Sequence, residues 1–121
     1  MTHQSSELPA FTLHLAPEER WAAADAADDY TPEGFAEEGF VHTTLGDDEV
    51  LAVGNRYYAG DPRPHLVLTV ALDRLEAPWR FDEAGPLYPH VYGPLTRDAV
   101  TGVRRARRDA DGRFVGFDPY P

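Results

Sequence analysis

Cysteine is absent from the 121-residue chain. That excludes a disulfide scaffold, thiolate zinc sites, iron–sulfur ligation and a cysteine nucleophile at once. Long apolar runs are absent as well, since nothing approaches the about 18 residues that a membrane span requires. The opening Thr-His-Gln-Ser-Ser-Glu after Met1 has neither the basic nor the apolar segment of a signal peptide, so the reading is a soluble, cytoplasmic protein with no membrane partner. Positive charge is scarce: 11 Lys and Arg stand against 21 Asp and Glu, a formal charge of −10. A nucleic-acid polyanion is repelled at long range by such a chain. P-loop, GxGxxG, nucleophile-elbow and HExxH spacings are missing too, which removes the best-defined enzyme classes. Any chemistry must rest on dispersed side chains.

Apolar material is sufficient for one core, because 42% of the residues are hydrophobic and 121 residues fit a domain of about 100 to 200. A single domain over residues 1–121 is expected, with the polar, unpatterned residues 1–9 as a flexible N-terminus. Phe11, Leu13 and Leu15 alternate with Thr12 and His14, the period of a half-buried strand, which sets His14 opposite the apolar face. Pro17, Glu18 and Glu19 open an alanine-rich helix through Trp21, Ala22, Ala23, Ala24, Ala26 and Ala27. It ends by Tyr30, because Pro32 disfavours helix at Thr31. Phe40-Val41-His42-Thr43 reads as a brief strand with His42 on the face of Phe40. Val50, Val53, Gly54 and Tyr57 recur at helical spacing behind Asp47, Asp48 and Glu49, a second helix whose other flank carries Asn55 and Arg56.

The run Leu66-Val67-Leu68-Thr69-Val70-Ala71-Leu72 suits a central strand covered on both faces. Trp79-Arg80-Phe81 reads as another strand. Tyr88, His90 and Tyr92 share one face if extended, while Pro89 confines that segment to an edge or to irregular structure. Asp109-Ala110-Asp111-Gly112 separates strands over residues 99–107 and 113–117, as a hairpin would. Strands with two main helices that do not alternate regularly argue for an α+β domain with a mixed or largely antiparallel sheet. Arg104, Arg105, Arg107 and Arg108 read as a solvent-facing strand whose stems cover apolar surface, with a local anion site as the alternative.

Three histidines carry the chemical interest. His14, His42 and His90 each stand in a strand-like segment beside hydroxyl or aromatic residues. An imidazole so placed can hold a ribose hydroxyl or phosphate, exchange a proton near neutrality, or bind a metal, and each taken singly also suits a structural role. No i, i+4 pair and no HxH supports a three-histidine metal site, so no metal is expected. Tyr88, Tyr92 and Trp79 offer flat faces on which a base or nicotinamide could stack, and Asp82 and Glu83 are the nearest acids.

Several of these segments together resemble a known family. Leu13-His14-Leu15 with the Trp-bearing helix, Glu38-Gly39-Phe40-Val41-His42-Thr43-Thr44, Leu66-Val67-Leu68 and Tyr88-Pro89-His90-Val91-Tyr92-Gly93-Pro94-Leu95 resemble an uncharacterised bacterial family, domain of unknown function 952, over residues 11–114. That family is grouped with the ADP-ribosyltransferase-like folds, and the motif order is similar to that of NAD-dependent RNA 2′-phosphotransferases. Leu15-Ala16 stands where those enzymes carry Gly-Thr, no arginine precedes Val41, and Asp82 stands where relatives often carry glutamate.

The resemblance implies a split ADP-ribosyltransferase-like sheet and NAD as a substrate. His14 would hold the NAD ribose, and Val41-His42-Thr43-Thr44 would form the second motif. The implied chemistry is cleavage of the nicotinamide N-glycosidic bond through an oxocarbenium-like state. Tyr92 or Tyr88 would stack on nicotinamide, and Asp82 would stabilise developing positive charge or orient an acceptor. Catalytic roles thus fall on His14, His42 and Asp82, and substrate contacts on Thr43, Thr44, Asn55, Arg56, Tyr88, His90 and Tyr92. The expected function is an NAD- or ADP-ribose-binding transferase or hydrolase. The alternative is a noncatalytic module that keeps the cleft for another small molecule or a protein partner.

Overall fold

A computed structural model describes residues 8–24 and 28–121. Most of the expected flexible N-terminus and the end of the alanine-rich segment lie outside the described residues. Four strands form the larger sheet: β1 (Phe11–Pro17), β3 (His65–Ala71), β6 (Val100–Arg108) and β7 (Phe114–Pro119), in the order β1-β3-β6-β7 and antiparallel throughout. β2 (Val41–His42), β4 (Trp79–Phe81) and β5 (Pro89–Val91) form a second antiparallel sheet, in the order β2-β5-β4. Helices are few: α1 (Glu18–Ala23), α2 (Phe35–Glu38) and α3 (Asp47–Tyr57), with 3-10 turns at Leu72–Arg74 and Arg97–Ala99. The chain is an α+β domain with antiparallel sheets.

The apolar run in β3 explains how these layers stack. β3 lies inside the larger sheet between β1 and β6, and alternate residues point to opposite faces. Leu66, Leu68 and Val70 pack with Ala16, Tyr30, Val41, Val91 and Leu95, so this face meets the second sheet. Val67 points the other way and packs with Leu13, Leu15, Val50, Ala106 and Phe114 beneath α3. Gly54 lets that helix approach closely, since a Cβ there would lie 2.9 Å from Phe114 Cδ2. Asn55 then fixes the helix to β7, donating from Nδ2 to the Phe114 carbonyl at 3.1 Å and accepting the Phe114 N–H at 2.7 Å.

A backbone bridge joins β1 to the segment after β2. Leu13 and Thr44 exchange N–H···O bonds of 2.9 and 2.8 Å. Beside it, Thr12 Oγ1 donates to Thr43 Oγ1 at 2.8 Å, and Thr43 Oγ1 donates to the Pro89 carbonyl at 2.6 Å. Buried hydroxyls therefore link β1, the segment after β2, and β5.

Four expectations need correction. His14 does not face away from apolar packing: the second sheet covers it, and β1 is buried on both faces from Thr12 to Ala16. The first helix is only six residues long, and Ala24 is already extended. Tertiary contacts override alanine propensity there, because the Arg97 guanidinium sits 4.0 Å over the Trp21 ring and donates to the Asp28 carbonyl at 2.9 Å. Pro89 sits in the middle strand of its sheet rather than at an edge. As first residue of β5 it needs no N–H for the ladder, and its carbonyl is used by Thr43. Tyr57, placed on the apolar face of α3 by periodicity, is 68% exposed.

The arginine-rich strand follows the structural reading. Arg104 lies 4.1 Å over Phe117 and pairs with Asp47, Arg105 pairs with Glu18, and Arg107 pairs with Asp118. Arg108 lies 4.3 Å over Phe114 and donates to the carbonyls of Tyr58, Ala59, Asp61, Arg63 and Gly112.

Candidate functional site

Two adjoining chambers open where β2, α3 and the 84–88 loop meet. The larger, about 630 Å³, is lined by His42, Thr43, Thr44, Arg56, Tyr88 and His90, with Glu38, Val53, Tyr57, Tyr58 and Ala84 completing the wall. The smaller, about 250 Å³, is lined by His14, Leu15, Glu33, Val50 and Arg63 among others. Glu38, His42, Thr44, Val53 and Tyr58 border both, so the two form one bipartite cleft. Its combined size suits a small-molecule site, for which about 300 to 1,000 Å³ is usual.

β1 brings His14 to the smaller chamber, and its hydrogen bonding fixes its tautomer. Nδ1 lies 2.8 Å from the His42 carbonyl oxygen. A carbonyl only accepts, so Nδ1 carries the proton and Nε2 keeps its lone pair. Nε2 is buried without a hydrogen-bond partner among the described residues. Burial lowers the imidazole to about 4, the His42 carbonyl opposing that shift only in part. The ring is therefore neutral at physiological pH, and a residue that lines the smaller chamber carries a buried, unpaired acceptor. Tyr30 packs against it at 5.9 Å, and burial raises the Tyr30 phenol to about 12.

The second sheet brings His42 and His90 together. The register pairs them across β2 and β5, and their rings meet edge to face at 5.3 Å. Phe40 stacks on His90 at 4.2 Å and meets His42 edge-on at 4.8 Å, so the expected shared face of Phe40 and His42 is present. His42 Nε2 donates to Glu38 at 3.0 Å. His90 Nδ1 lies 2.8 Å from Asp82 Oδ2. Asp82 also accepts from the Tyr92 hydroxyl and from Arg80 Nε, and these bonds, Tyr92 first, hold its carboxyl down to about 2.

The remaining candidates divide by location. Arg56 and Tyr88 line the larger chamber. The Tyr88 hydroxyl donates to Glu49, and hydrogen bonding to Tyr88 and Tyr57 favours the charged Arg56. Thr44 lines both chambers, whereas the Thr43 hydroxyl is occupied by Thr12 and Pro89. Asp82 and Tyr92 line neither chamber and stand behind His90, with the Tyr92 ring covered by Arg80 at 4.2 Å. Asn55 points to Phe114 instead of the cleft. Among the described residues, no group of three His, Cys, Asp or Glu side chains could hold a metal ion.

Tyr58, Glu38 and Arg63 line the cleft without having been singled out from the sequence. Tyr58 had a signal in the sequence, since it continues the spacing of Val50 and Gly54 by four residues, and it stands as the C-cap of α3. Arg63 gave no local signal. It donates to Asp61 and Glu33, which holds both carboxyls below their ordinary range.

With this geometry in place, the chain can be compared with known proteins. A family profile described as "Protein of unknown function (DUF952)" matches residues 15–103. The chain belongs to this family. The DUF952 match includes His42, Thr43, Thr44, Arg56, Asp82, Tyr88, His90 and Tyr92, and begins one residue after His14. Among solved structures, the crystal structure of protein CC0527 from Caulobacter crescentus is similar, with a TM-score of 0.71 and 23% identity over 87% of this chain and 93% of that one. The solution NMR structure of CC0527 gives a TM-score of 0.66 at 23% identity, covering 86% and 90%. This likeness shows the fold. Comparison with curated proteins returns no match. No helix among the described residues is long and apolar enough to cross a membrane.

Proposed function

We propose that the bipartite cleft binds a ribose-bearing nucleotide, NAD or ADP-ribose, and that the two antiparallel sheets are the split sheet of an ADP-ribosyltransferase-like fold. One observation carries the reading: His14, which lines the smaller chamber, is a buried, neutral imidazole whose Nε2 has no protein partner among the described residues. Leaving a buried acceptor unpaired costs about 1 to 3 kcal/mol, which a ligand hydroxyl donating to it would recover. A ribose diol is such a donor. Arg56 at the larger chamber supplies positive charge for a pyrophosphate, and the Tyr88 ring supplies a flat face for nicotinamide. Tyr92 is not available for stacking, because Arg80 covers its ring.

The chemistry proposed is transfer or hydrolysis at the nicotinamide-bearing ribose carbon. His14 would hold the ribose hydroxyls so that the glycosidic bond is presented to the His42 and His90 side of the cleft. Positioning of this kind contributes by converting an encounter into a preset geometry.

Calorimetric titration with NAD, ADP-ribose and nicotinamide tests the reading. Saturable binding of a nucleotide by the wild type is expected. His14→Gln, with folding checked by its melting curve, should weaken it about tenfold or more, the equivalent of one lost hydrogen bond of about 1.4 kcal/mol. His42→Ala should weaken it as well. Absence of heat from folded wild-type protein would overturn the proposal.

A further inference from the structure

We infer that Asp82 and His90 form a proton-accepting dyad at the wall of the larger chamber, with His90 Nε2 as the base for a hydroxyl or water and Asp82 as its positioning residue. The substrate named for this dyad rests on the nucleotide reading above. The geometry is independent of that reading.

The sequence builds the arrangement from two short antiparallel segments. Arg80 is paired with His90 across β4 and β5, and the Tyr92 N–H donates to the Pro78 carbonyl at 2.8 Å, which continues the ladder. Residues two apart point to one face, so Arg80, Asp82, His90 and Tyr92 converge. Asp82 accepts from Arg80 Nε at 2.8 Å and from the Tyr92 hydroxyl, and its remaining bond is to His90 Nδ1 at 2.8 Å. An ionised carboxylate only accepts, so the His90 proton resides on Nδ1. In the neutral ring Nε2, away from Asp82, keeps its lone pair, and it has no hydrogen-bond partner among the described residues.

The ring is locked, being stacked on Phe40 at 4.2 Å with 14° between planes and held edge-on by His42. His90 lines the chamber while Asp82 does not, so the carboxylate reaches a ligand only through the imidazole.

With NAD bound, the acceptor O–H gives its proton to His90 Nε2 as its oxygen bonds to the ribose C1′. The C1′–N bond breaks, and its electron pair stays on the ring nitrogen of neutral nicotinamide. With water as acceptor the products are ADP-ribose and nicotinamide. The imidazolium, stabilised by Asp82, then releases its proton to solvent.

Two readouts on the same proteins test this. ¹⁵N spectra of the imidazoles report the tautomer without any ligand, and nicotinamide release from NAD reports turnover beside the ADP-ribose Kd. Expected are an Nδ1–H tautomer of neutral His90 in the wild type, lost in Asp82→Asn, and turnover lowered about 100-fold or more in Asp82→Asn and His90→Gln, with Kd changed by less than about threefold in Asp82→Asn. Asp82→Glu should restore part of the turnover and the tautomer. An Nε2–H tautomer in the wild type, unchanged turnover in both variants, or wild-type protein that binds NAD and releases no nicotinamide would overturn the dyad. Wild-type protein that binds neither nucleotide but shows the Asp82-dependent Nδ1–H tautomer would overturn the nucleotide reading and support the dyad alone.

Discussion

The hairpin of β6 and β7 and the cleft below β2 use their polar groups in opposite ways. At the hairpin, Arg108 spends its donors on five backbone carbonyls, and Arg104, Arg105 and Arg107 each meet a carboxylate. In the cleft, His14 and His90 each commit Nδ1 to the protein and leave Nε2 without a partner. A saturated polar group contributes to the fold, whereas one held rigid and half-used is set for something that arrives later. His65 is the instructive intermediate. Its Nδ1 donates to the Arg63 carbonyl and its Nε2 is also unpartnered, 3.7 Å from Asp61, yet Tyr58 and Phe114 enclose it and it lines neither chamber. An orphan nitrogen alone does not make a site; a chamber in front of it is required.

Substitutions that separate the two regions should show it, beginning with the largest effect. Arg108→Met removes the whole carbonyl clamp at the end of α3 and should cost about 4 kcal/mol in denaturant unfolding while leaving ligand affinity unchanged in the folded fraction. Loss of nucleotide binding at full folding would break the division between the regions.

Acid titration should find the cleft next. His14 titrates near 4 in the folded protein and near 6.5 when unfolded. Above the unfolded value both states are neutral and no stability is lost. As pH falls toward the folded value, the unfolded chain binds the proton first, and stability drops by about 3 kcal/mol. His65 is lowered by burial too and adds loss of the same sign. Asp61 and Asp82, held below their ordinary values, act only at more acid pH. His14→Gln should therefore flatten part of the decline seen by chemical denaturation between these two pH values, and an unaltered slope would contradict the buried neutral imidazole.

Smaller effects sharpen the helix that divides the regions. Gly54→Ala should cost about 2 kcal/mol, because the new methyl meets Phe114 and Leu15, the latter at 3.2 Å. Asn55→Ala should cost about 1 to 2 kcal/mol from its lost pair of bonds to Phe114, with no change in nucleotide affinity, whereas the neighbouring Arg56→Ala should weaken binding with little change in melting temperature.

Legibility in the sequence followed the range of the interactions. The strands of residues 65–71 and 114–119 and the helix of residues 47–57 came from local periodicity and turn chemistry, which local sequence carries directly. His14, His42, Thr44, Arg56, Tyr88 and His90 do line one cleft, because short strands around glycine and proline leave their polar residues at chamber walls. Asn55, expected among the substrate contacts, was misplaced for a different reason: its partner is a backbone group of residue 114, and no side-chain pattern announces a backbone partner. The early end of α1 likewise depends on Arg97, far along the chain. Pro89 was misplaced because a rule about missing N–H groups applies to strand interiors, and this proline begins its strand. That Asp82 stands behind His90 depends on register across β4 and β5, which composition does not specify.

The most direct measurement follows the ¹⁵N resonances of the histidine side chains during a titration with ADP-ribose. If half-used imidazoles facing a chamber are the ligand contacts, His14 Nε2 should shift on binding and saturate with the calorimetric Kd, with His65 Nε2 unmoved as the enclosed counterpart. A nucleotide that binds while His14 Nε2 stays fixed, or that shifts His65 equally, would contradict the account.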